Sequence, residues 1–256
     1  MTSLITNILP PLAQVTLNRP EKRNAINHAM WQGLLDLAQQ LGAEPTVRVI
    51  LLSGAGSEAF SAGADISEMQ ANLADPSRMK AMQDVVLESQ MAWERIPVPT
   101  IALLRGACTG GGCGLALACD LRLATPDAFM AIPPAKLGLA YSLADAKRLY
   151  DLVGPSRAKE ILYTGRRVSA DEALQLGMIN EIVPASELEA RAQQLAHEIA
   201  SNAGNSVRAA KTVIDMLSAG VHAETPDSRR YYEQSFDSAE FKEGARAFLE
   251  KRKPRF

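Results

Sequence analysis

Residues 100–119 read TIALLRGACTGGGCGLALAC, in which two apolar runs are separated by three consecutive glycines. The first run, Thr100 to Leu104, is short and aliphatic, which is typical of a strand buried on both faces of a sheet. The second run, Cys113 to Cys119, follows Gly110-Gly111-Gly112 directly and is predicted to be helical. The stretch therefore predicts a buried strand that turns through glycines into a buried helix, as in an α/β fold.

A second glycine-containing junction lies earlier in the chain. The segment Phe60-Ser-Ala-Gly-Ala-Asp-Ile66 follows a strand predicted at residues 47–53. Glycine at such a junction permits a tight turn and a close approach of the backbone. The N–H groups in the first turn of a helix have no intrahelical acceptor, and the helix dipole favours negative charge there. Two such groups that converge would form an oxyanion hole, although ordinary turn glycines would explain either junction alone.

The pattern of predicted elements changes along the chain. Strands predicted at residues 14–17, 47–53, 100–104 and 121–124 alternate with helices at 29–41 and from Asp75-Pro76 to about 95. From Gly154 onward only helices are predicted. Two of them begin at capping boxes, at residues 169–172 and 186–189, and three more cover residues 206–219, 226–236 and 239–251. Alternation followed by helices alone predicts an α/β core with a helical C-terminal appendage.

Composition excludes several classes of protein. The 256 residues include 27 Lys and Arg against 29 Asp and Glu, so no basic surplus is available for binding nucleic acid. No apolar run is long enough to span a bilayer, and Met1 to Pro11 lacks the pattern of a secretory signal. Cys108, Cys113 and Cys119 do not have the spacing of a zinc site. We therefore expect structural thiols, no metal, no membrane contact and a cytoplasmic location.

Taken together, the segments are similar to the enoyl-CoA hydratase/isomerase family, also called the crotonase superfamily. The similarity covers nearly the whole chain and includes Leu17-Asn-Arg-Pro20 with Asn24-Ala25, Ala59 to Ile66, Gly110-Gly-Gly-Cys113, Leu115 to Asp120, Leu162-Tyr-Thr-Gly165 with Ser169 to Ala173, and Phe248 to Lys253. The resemblance implies an α/β core of repeated ββα units over residues 1–195. It also implies a helical C-terminal region over residues 196–256 that assembles a homotrimer or a dimer of trimers.

The resemblance further implies that the substrate is an acyl-CoA thioester. The backbone N–H groups of Ala64 and Gly111 would hold the thioester oxygen as it becomes an enolate, and such donors contribute about 2.7–4 kcal/mol each. Coenzyme A would enter as part of the substrate, with no permanently bound cofactor. The residues expected to contact the CoA thioester are Lys22, Arg23, Ala25, Ala62, Asp65, Ile66, Gly110, Gly114, Pro134, Phe248 and Lys251. Lys22, Arg23 and Lys251, the last from a neighbouring subunit, are either phosphate partners or solvated side chains.

The chain departs from family hydratases at both positions that hold their water-activating glutamates, which here are Gly114 and Pro134. Because general acid–base groups contribute about 10²–10⁴-fold each, their loss predicts very slow hydration. The remaining candidates are Tyr141, a proton source or a packed aromatic, and Asp145, a site carboxylate or a partner in a surface ion pair. Ser142 stands where dehalogenase and dienoyl-isomerase relatives have a catalytic aspartate, which argues against that chemistry.

The segment from Ile132 to Tyr141 is similar to the methylmalonyl-CoA decarboxylase branch, in which a tyrosine faces the reactive carbon. That branch has a histidine where this chain has Ala64. We therefore expect a lyase that decarboxylates a short acyl-CoA, with Ala64, Gly111, Tyr141 and Asp145 as the catalytic set. The alternatives are an enoyl-CoA hydratase or isomerase of the fatty-acid oxidation type that uses Asp145 or another, unrecognised acid, and a catalytically silent paralogue that binds acyl-CoA.

Overall fold

The computed structural model describes residues 2–256 as two β-sheets with covering helices. The strands are β1 (Leu4–Leu9), β2 (Leu12–Leu17), β3 (Val49–Gly54), β4 (Ala59–Ser61), β5 (Thr100–Leu104), β6 (Ala107–Thr109), β7 (Leu121–Ala124), β8 (Phe129–Ala131), β9 (Arg167–Ser169) and β10 (Glu181–Ile182). The helices are α1 (His28–Ala43), α2 (Ile66–Asn72), α3 (Pro76–Glu94), α4 (Gly111–Ala118), α5 (Leu143–Thr164), α6 (Ala170–Gln175), α7 (Leu188–Ala200), α8 (Gly204–Ser218), α9 (Pro226–Asp237) and α10 (Ala239–Leu249). Single 3₁₀ turns lie at Pro20–Lys22 and Pro134–Leu137.

The core repeats one unit along the chain. The larger sheet has six strands in the order β1-β2-β3-β5-β7-β10, all parallel except for the antiparallel β1–β2 pair. The smaller sheet has four strands in the order β4-β6-β8-β9, of which β8 and β9 are antiparallel. Strands β3, β5 and β7 are each followed by a strand of the smaller sheet and then by a helix. The predicted core of repeated ββα units is confirmed.

Helices α1 and α3 pack together through apolar side chains. Leu34 and Leu41, which repeat at helical spacing in α1, are both fully buried. Trp93 near the end of α3 is also fully buried, and its Nε1 donates a hydrogen bond to the Leu34 carbonyl at 3.0 Å. This contact fixes the rotation of α3, so that Gln90, one turn before Trp93, also faces the interior.

In the first half of the chain the predicted elements are present, but the sequence pattern missed β1, β4, β6, β8 and α2. The strands predicted at residues 14–17, 47–53, 100–104 and 121–124 lie within or overlap β2, β3, β5 and β7. The two predicted helices are α1 and α3, and Asp75 caps α3 by accepting hydrogen bonds from the N–H groups of Ser77 and Arg78. Helix α4 begins at Gly111 and not at Cys113, so the glycine turn itself provides the first helical residues.

The second half corrects the expectation of helices alone. Strand β9 pairs with β8, and β10 pairs with β7. Helix α5 also changes direction at Gly154, whose φ of 72° and ψ of 170° are not helical. Ser169 caps α6 as predicted, whereas the capping box predicted at Ser186 is wrong. A turn in which the Glu187 N–H donates to the Pro184 carbonyl delays the start of α7 to Leu188.

The last helices extend away from the core. Helix α7 still packs on the larger sheet through Leu188, Ala192 and Ala196, so the predicted division after residue 195 falls within this helix. Helices α8, α9 and α10 bury few residues and leave large apolar side chains exposed, among them Phe236 and Phe248. Assembly through this region stays a prediction. Within residues 2–256, no helix has both the length and the apolarity needed to cross a membrane.

Gly112 allows α4 to lie directly against β4, and this contact is open to test. A Cβ atom on Gly112 would lie 2.6 Å from the Ser61 Cβ and 2.9 Å from the Ser61 carbonyl oxygen. We expect Gly112→Ala to lower the free energy of unfolding by about 1–3 kcal/mol through overpacking, as measured by urea denaturation. The matched control is Gly244→Ala, because a Cβ on this helical glycine meets no atom closer than 3.6 Å. The control is expected to be neutral or stabilising by up to about 1 kcal/mol, and equal midpoints for the two variants would contradict the steric argument.

Candidate active site

The two glycine-containing turns meet at one edge of the smaller sheet. Strands β4 and β6 are parallel neighbours, so the segments that follow them leave the same edge. The Thr109 hydroxyl donates a hydrogen bond to the Ala62 carbonyl at 2.7 Å. The two turns are so close that a Cβ atom on Gly63 would lie 2.8 Å from the Thr109 carbonyl oxygen and 3.4 Å from the Gly111 nitrogen. The structure therefore brings together the two segments that the sequence singled out.

Each segment presents a backbone N–H without an acceptor. Gly110 has a φ of 52°, which glycine adopts without strain, and its N–H donates to the Ala131 carbonyl at 2.9 Å. Gly111 follows as the first residue of α4, where an N–H has no intrahelical partner. In the other segment, the Ile26 N–H donates to the Gly63 carbonyl, and the Ile26 carbonyl accepts from the Asp65 N–H. These two hydrogen bonds hold the residues on either side of Ala64. Within residues 2–256 neither the Ala64 nor the Gly111 N–H donates a hydrogen bond, and both residues are partly exposed.

An ion pair fixes the segment that contains Ala64. Arg19 Nη2 lies 2.8 Å from Asp65 Oδ2, and Arg19 Nη1 donates to the Ala25 carbonyl at 2.8 Å. Asp65 also caps α2 by accepting from the Ser67 N–H. Burial opposes ionisation of Asp65, but its hydrogen bonds to Arg19 and to backbone N–H groups outweigh burial and lower its pKa. Asp65 is therefore a fixed anion that holds the turn and is not placed to exchange protons at neutral pH.

The predicted CoA-contacting residues of the first segment lie side by side. The Ala62 N–H donates to the Arg23 carbonyl at 2.9 Å, so residues 22–26 run alongside residues 62–66. Lys22 and Arg23 are exposed at this surface, and Arg23 forms an ion pair with Glu58. Ala25 is buried, whereas the Ile66 side chain is largely exposed beside them. The structure groups these residues, and their contact with CoA stays a prediction.

The two predicted C-terminal residues are not brought to this surface within one chain. Phe248 is 83% exposed near the end of α10, and α10 packs mainly against α9. Lys251 is exposed just beyond that helix, and its backbone N–H donates to the Phe248 carbonyl. Within the described chain, neither residue makes a hydrogen bond or ion pair with residues 62–66 or 110–114.

Gly114 is covered by two polar side chains from other helices. A Cβ on Gly114 would lie 2.3 Å from Gln90 Nε2 of α3 and 2.7 Å from Asp145 Oδ1 of α5. Gly114 is one turn after Gly111, so both positions share one face of α4. An amide and a carboxylate thus occupy the place of the side chain that Gly114 lacks. Pro134, the other departure, begins a 3₁₀ turn and contributes no titratable group.

Asp145 is a buried carboxylate with a defined set of partners. Its Oδ2 accepts a hydrogen bond from the Ser142 hydroxyl at 2.8 Å, and its Oδ1 accepts from Arg148 Nη1 at 2.9 Å. Arg148 is itself buried and also pairs with Glu94 at 2.7 Å. Burial raises the pKa of Asp145 above its ordinary value, although Ser142 and Arg148 oppose the shift. Asp145 is therefore not the surface ion-pair residue that the sequence left open.

Tyr141 directly precedes Ser142, whose hydroxyl binds this carboxylate. The Tyr141 hydroxyl is buried and has no hydrogen-bond partner within residues 2–256. Burial, with the nearby acidic groups Cys113 and Asp145, raises the pKa of the Tyr141 phenol well above its ordinary value. The phenol is therefore neutral at physiological pH and acts as a hydrogen-bond donor or acceptor.

Sequence reasoning missed Gln90. Gln90 is 1% exposed, and its Nε2 donates a hydrogen bond to the Gly111 carbonyl at 3.2 Å. Its Oε1 is buried without a partner in the described part of the chain. No motif surrounds Gln90. The only signal in the sequence is that Gln90 lies three residues before Trp93, a helical spacing that places both residues on the same face of α3. A buried amide, with only its nitrogen hydrogen-bonded in the described chain, therefore lies beside Gly111 in the candidate site.

The three cysteines and the main cleft are further features of the described chain. The three cysteines are buried free thiols, and burial raises the pKa of Cys119 to about 12. Within residues 2–256, no group of three or more His, Cys, Asp or Glu side chains is placed to hold a metal ion. A cleft of about 970 Å³ lies between the core and α8, lined in part by Glu94, Arg148 and Lys211. Among residues 2–256, the cleft meets the candidate site through Arg148 and its partner Glu94, whereas residues 62–66 and 110–114 do not line it.

The candidate site therefore combines two backbone N–H groups without acceptors, at Ala64 and Gly111, with a buried carboxylate beside Gly114, one helical turn after Gly111. A sequence model described as enoyl-CoA hydratase/isomerase matches residues 10–256. The chain belongs to the enoyl-CoA hydratase/isomerase family, the crotonase superfamily.

Individual relatives agree with this assignment over nearly the full length. The crotonyl-CoA hydratase of Syntrophomonas wolfei is 34% identical, with 96% of this chain and 94% of the relative covered. The short-chain-enoyl-CoA hydratase of Clostridium acetobutylicum is 32% identical, with 94% and 92% covered. The crystal structure of an enoyl-CoA hydratase/isomerase family protein of Hyphomonas neptunium has a TM-score of 0.96 and 41% identity, with 100% and 97% covered. The resemblance expected from the sequence is confirmed at the level of the family and the fold.

The Gly111 N–H is tested by a pair of substitutions at one position. Proline at the first helical residue preserves the helix but has no N–H, whereas alanine keeps the N–H and adds only a Cβ. That Cβ would lie 3.1 Å from the Trp31 ring, so both variants experience similar crowding. We expect Gly111→Pro to lower kcat by about 10²–10³-fold relative to Gly111→Ala, measured on the substrate that proves active. Equal rates in two folded variants would place the oxyanion donor elsewhere.

Proposed function

We propose that this protein is an acyl-CoA enzyme that moves a proton along an enoyl chain, which makes it a double-bond isomerase with Asp145 as its single acid–base group. One observation supports the proposal above all others. The Asp145 carboxylate lies against Gly114, one helical turn from the proposed oxyanion donor Gly111. A thioester whose oxygen is held at Gly111 would have its next carbons beside this carboxylate.

The proposed reaction begins with the thioester oxygen between the Ala64 and Gly111 N–H groups. Asp145 removes a proton from C2 of a 3-enoyl thioester, and the C–H electron pair passes into a dienolate whose oxygen carries the charge. The protonated Asp145 then returns the proton at C4, so that the double bond forms between C2 and C3 and the oxygen charge is released. Two preorganised backbone donors stabilise the dienolate because they require no reorganisation when the charge develops.

A single buried carboxylate favours isomerisation over hydration. Hydration requires that one group activates water while a second delivers a proton, and Gly114 and Pro134 do neither. Isomerisation needs only one group that takes and returns the same proton. Burial suits Asp145 to this role because it raises the pKa of the carboxyl towards neutrality.

Decarboxylation, expected from the sequence, is the second candidate, and Tyr141 is the observation that favours it. Loss of CO₂ produces the enolate without a base, and the electron pair of the broken carbon–carbon bond passes to the thioester oxygen. The buried Tyr141 hydroxyl, which has no partner in the described chain, is available to donate a hydrogen bond to the departing carboxylate or to direct a proton to the enolate. Asp145 acts against this reaction, because a second carboxylate nearby repels the substrate carboxylate.

We also propose a route for coenzyme A. The exposed cations Lys22 and Arg23 lie beside residues 62–66, where the adenine and phosphates would bind as part of the substrate. Phe248 and Lys251 lie on an exposed C-terminal helix and its end. In a homotrimer they would come from a neighbouring copy to close the same site.

The assignment is tested by replacing the carboxylate. We expect Asp145→Asn to slow the conversion of 3-hexenoyl-CoA to its 2-enoyl isomer by about 10²–10⁴-fold, because the amide cannot take a proton. The ultraviolet absorbance of the conjugated thioester measures the reaction. Asp151→Asn is the matched control, since Asp151 lies on the same helix and, within residues 2–256, forms an ion pair with Lys147 alone.

The same panel separates the candidates. If the wild type releases CO₂ from methylmalonyl-CoA but does not isomerise 3-hexenoyl-CoA, and if Tyr141→Phe loses this release, the protein is a decarboxylase and not an isomerase. Brisk hydration of crotonyl-CoA would contradict both. Binding of all three thioesters without any product would identify a silent paralogue.

The pH dependence of isomerisation reports the state of Asp145. Because the ionised form takes the proton, kcat/KM falls as pH decreases through the pKa of Asp145, which burial raises above the ordinary value. The Ser142 hydroxyl stabilises the ionised form, so Ser142→Ala is expected to move this acidic limb to higher pH. Ser169→Ala is the control, because Ser169 likewise caps a helix but does not contact Asp145. An unchanged limb in Ser142→Ala would show that another group controls the profile.

A further inference from the structure

Two carboxylates share one buried guanidinium beside the candidate site. Arg148 is 5% exposed. Its Nη1 donates a hydrogen bond to Asp145 Oδ1 at 2.9 Å, and its Nη2 donates to Glu94 Oε2 at 2.7 Å. An arginine side chain stays protonated and carries a single positive charge. Asp145 and Glu94 therefore compete for the same charge.

The balance of charge in this group leaves a place for one proton. When both carboxylates are ionised, the three side chains have one negative charge in excess, and protonation of either carboxylate makes the group neutral. The Asp145 side chain is only 10% exposed, whereas the Glu94 side chain is 41% exposed. Water stabilises the ionised form of the more exposed carboxylate, so the proton binds to Asp145. Glu94 remains an anion at a pH where Asp145 takes up a proton.

The other groups that face Asp145 leave this competition in place. From α3 and α4, the nearest groups are Gln90 and Gly114, neither of which titrates. The preceding residues supply the Ser142 hydroxyl and the Tyr141 phenol, whose raised pKa keeps it neutral. The charge that acts on Asp145 therefore comes from Arg148 and, through it, from Glu94.

Glu94 and Arg148 also line the cleft between the core and α8, in which the other charges are held separately. Lys147 pairs with Asp151, and Lys211 pairs with Asp120 at 2.8 Å. The buried Arg122 donates to backbone carbonyls, the Arg95 side chain is exposed, and Asp215 of α8 adds a further carboxylate. Among residues 2–256, the ion-pair partners of Arg148 are Glu94 and Asp145.

We propose that Glu94 is a positioning residue for the proton transfer, because it holds Arg148 and takes up part of its positive charge, so that Asp145 binds a proton more strongly. Glu94 acts through Arg148 and does not touch the substrate. The inference rests on the proposed function, in which Asp145 takes a proton from the acyl chain. It goes further by assigning the strength of that base to a residue of the cleft. The charge of Glu94 indeed acts to raise the pKa of Asp145.

The kinetic test replaces the charge of Glu94 and keeps its hydrogen bond. In Glu94→Gln the amide oxygen still accepts from Arg148 Nη2, but Asp145 no longer competes for the guanidinium charge. We expect the acidic limb of kcat/KM for 3-hexenoyl-CoA to move to lower pH by about one unit, opposite to the shift expected for Ser142→Ala. We also expect kcat on the plateau to fall about threefold, because a weaker base accepts the proton. The matched control is Glu88→Gln, since Glu88 is exposed elsewhere on α3, and its limb is expected to stay at the wild-type pH.

A second measurement does not depend on turnover. Carbon NMR of protein labelled at the aspartate carboxyl carbons follows the protonation of Asp145, whose resonance is assigned by its loss in Asp145→Asn. We expect the titration midpoint of Asp145 to be about one pH unit lower in Glu94→Gln than in the wild type. Glu88→Gln is expected to have the wild-type midpoint.

The two measurements separate failure of the inference from failure of the proposed function. Equal Asp145 midpoints in the wild type and in Glu94→Gln overturn the inference, whichever reaction the protein catalyses. A Glu94→Gln variant that unfolds at lower urea concentration but keeps the wild-type limb and midpoint also overturns it, because Glu94 then only stabilises the fold. A lowered midpoint in a protein that isomerises no 3-enoyl thioester contradicts the proposed function and supports the control of Asp145 by Glu94.

Discussion

The close approach of α4 to the edge of the smaller sheet is the constraint on which the rest of the structure depends. Only a glycine at position 112 fits against Ser61, and this contact brings the Gly111 N–H next to the turn that follows β4. The Arg19–Asp65 ion pair fixes that turn from its other side. The Ala64 and Gly111 N–H groups are therefore positioned by strand pairing and helix packing.

A second constraint is the cost of burying charge. Asp145 remains in the interior because Ser142 and Arg148 both bind its oxygens, and Arg148 is in turn satisfied by Glu94. This chain of partners offsets the desolvation that would otherwise exclude a carboxylate from the core. It also leaves the pKa of Asp145 raised, which is the condition that an acid–base group near neutral pH requires.

Local patterns in the sequence predicted the central strands of the larger sheet and the two glycine turns that meet at the candidate site. Apolar runs and glycine junctions are properties of adjacent residues, so β3, β5, β7 and the presence of a helix after the glycine turn could be predicted without a structure, although α4 begins two residues earlier than predicted. Strands β9 and β10 span only Arg167–Ser169 and Glu181–Ile182, too short for any periodicity. The capping box predicted at Ser186 is absent because the Glu187 N–H already donates a hydrogen bond to the Pro184 carbonyl in the preceding turn.

The polar half of the site was less predictable for a different reason. Gly114 indicated that the glutamate of family hydratases is missing. It did not indicate that Gln90 of α3 and Asp145 of α5 occupy the space beside Gly114 where that side chain would lie. That replacement depends on how three helices pack, and the residues concerned are separated by more than twenty positions in the chain. Whether Asp145 faced solvent or the interior was therefore decided only by tertiary structure.

The two donors of the proposed oxyanion site belong to the main chain, and this has a consequence for how mutation can change the reaction. A point mutation exchanges a side chain but leaves the backbone N–H in place unless it introduces proline. Substitutions at positions 114, 134 and 145 would therefore change the acid–base groups around α4 while both backbone donors remained. Within the proposed mechanism, the choice of reaction would then be separable from the stabilisation of the intermediate.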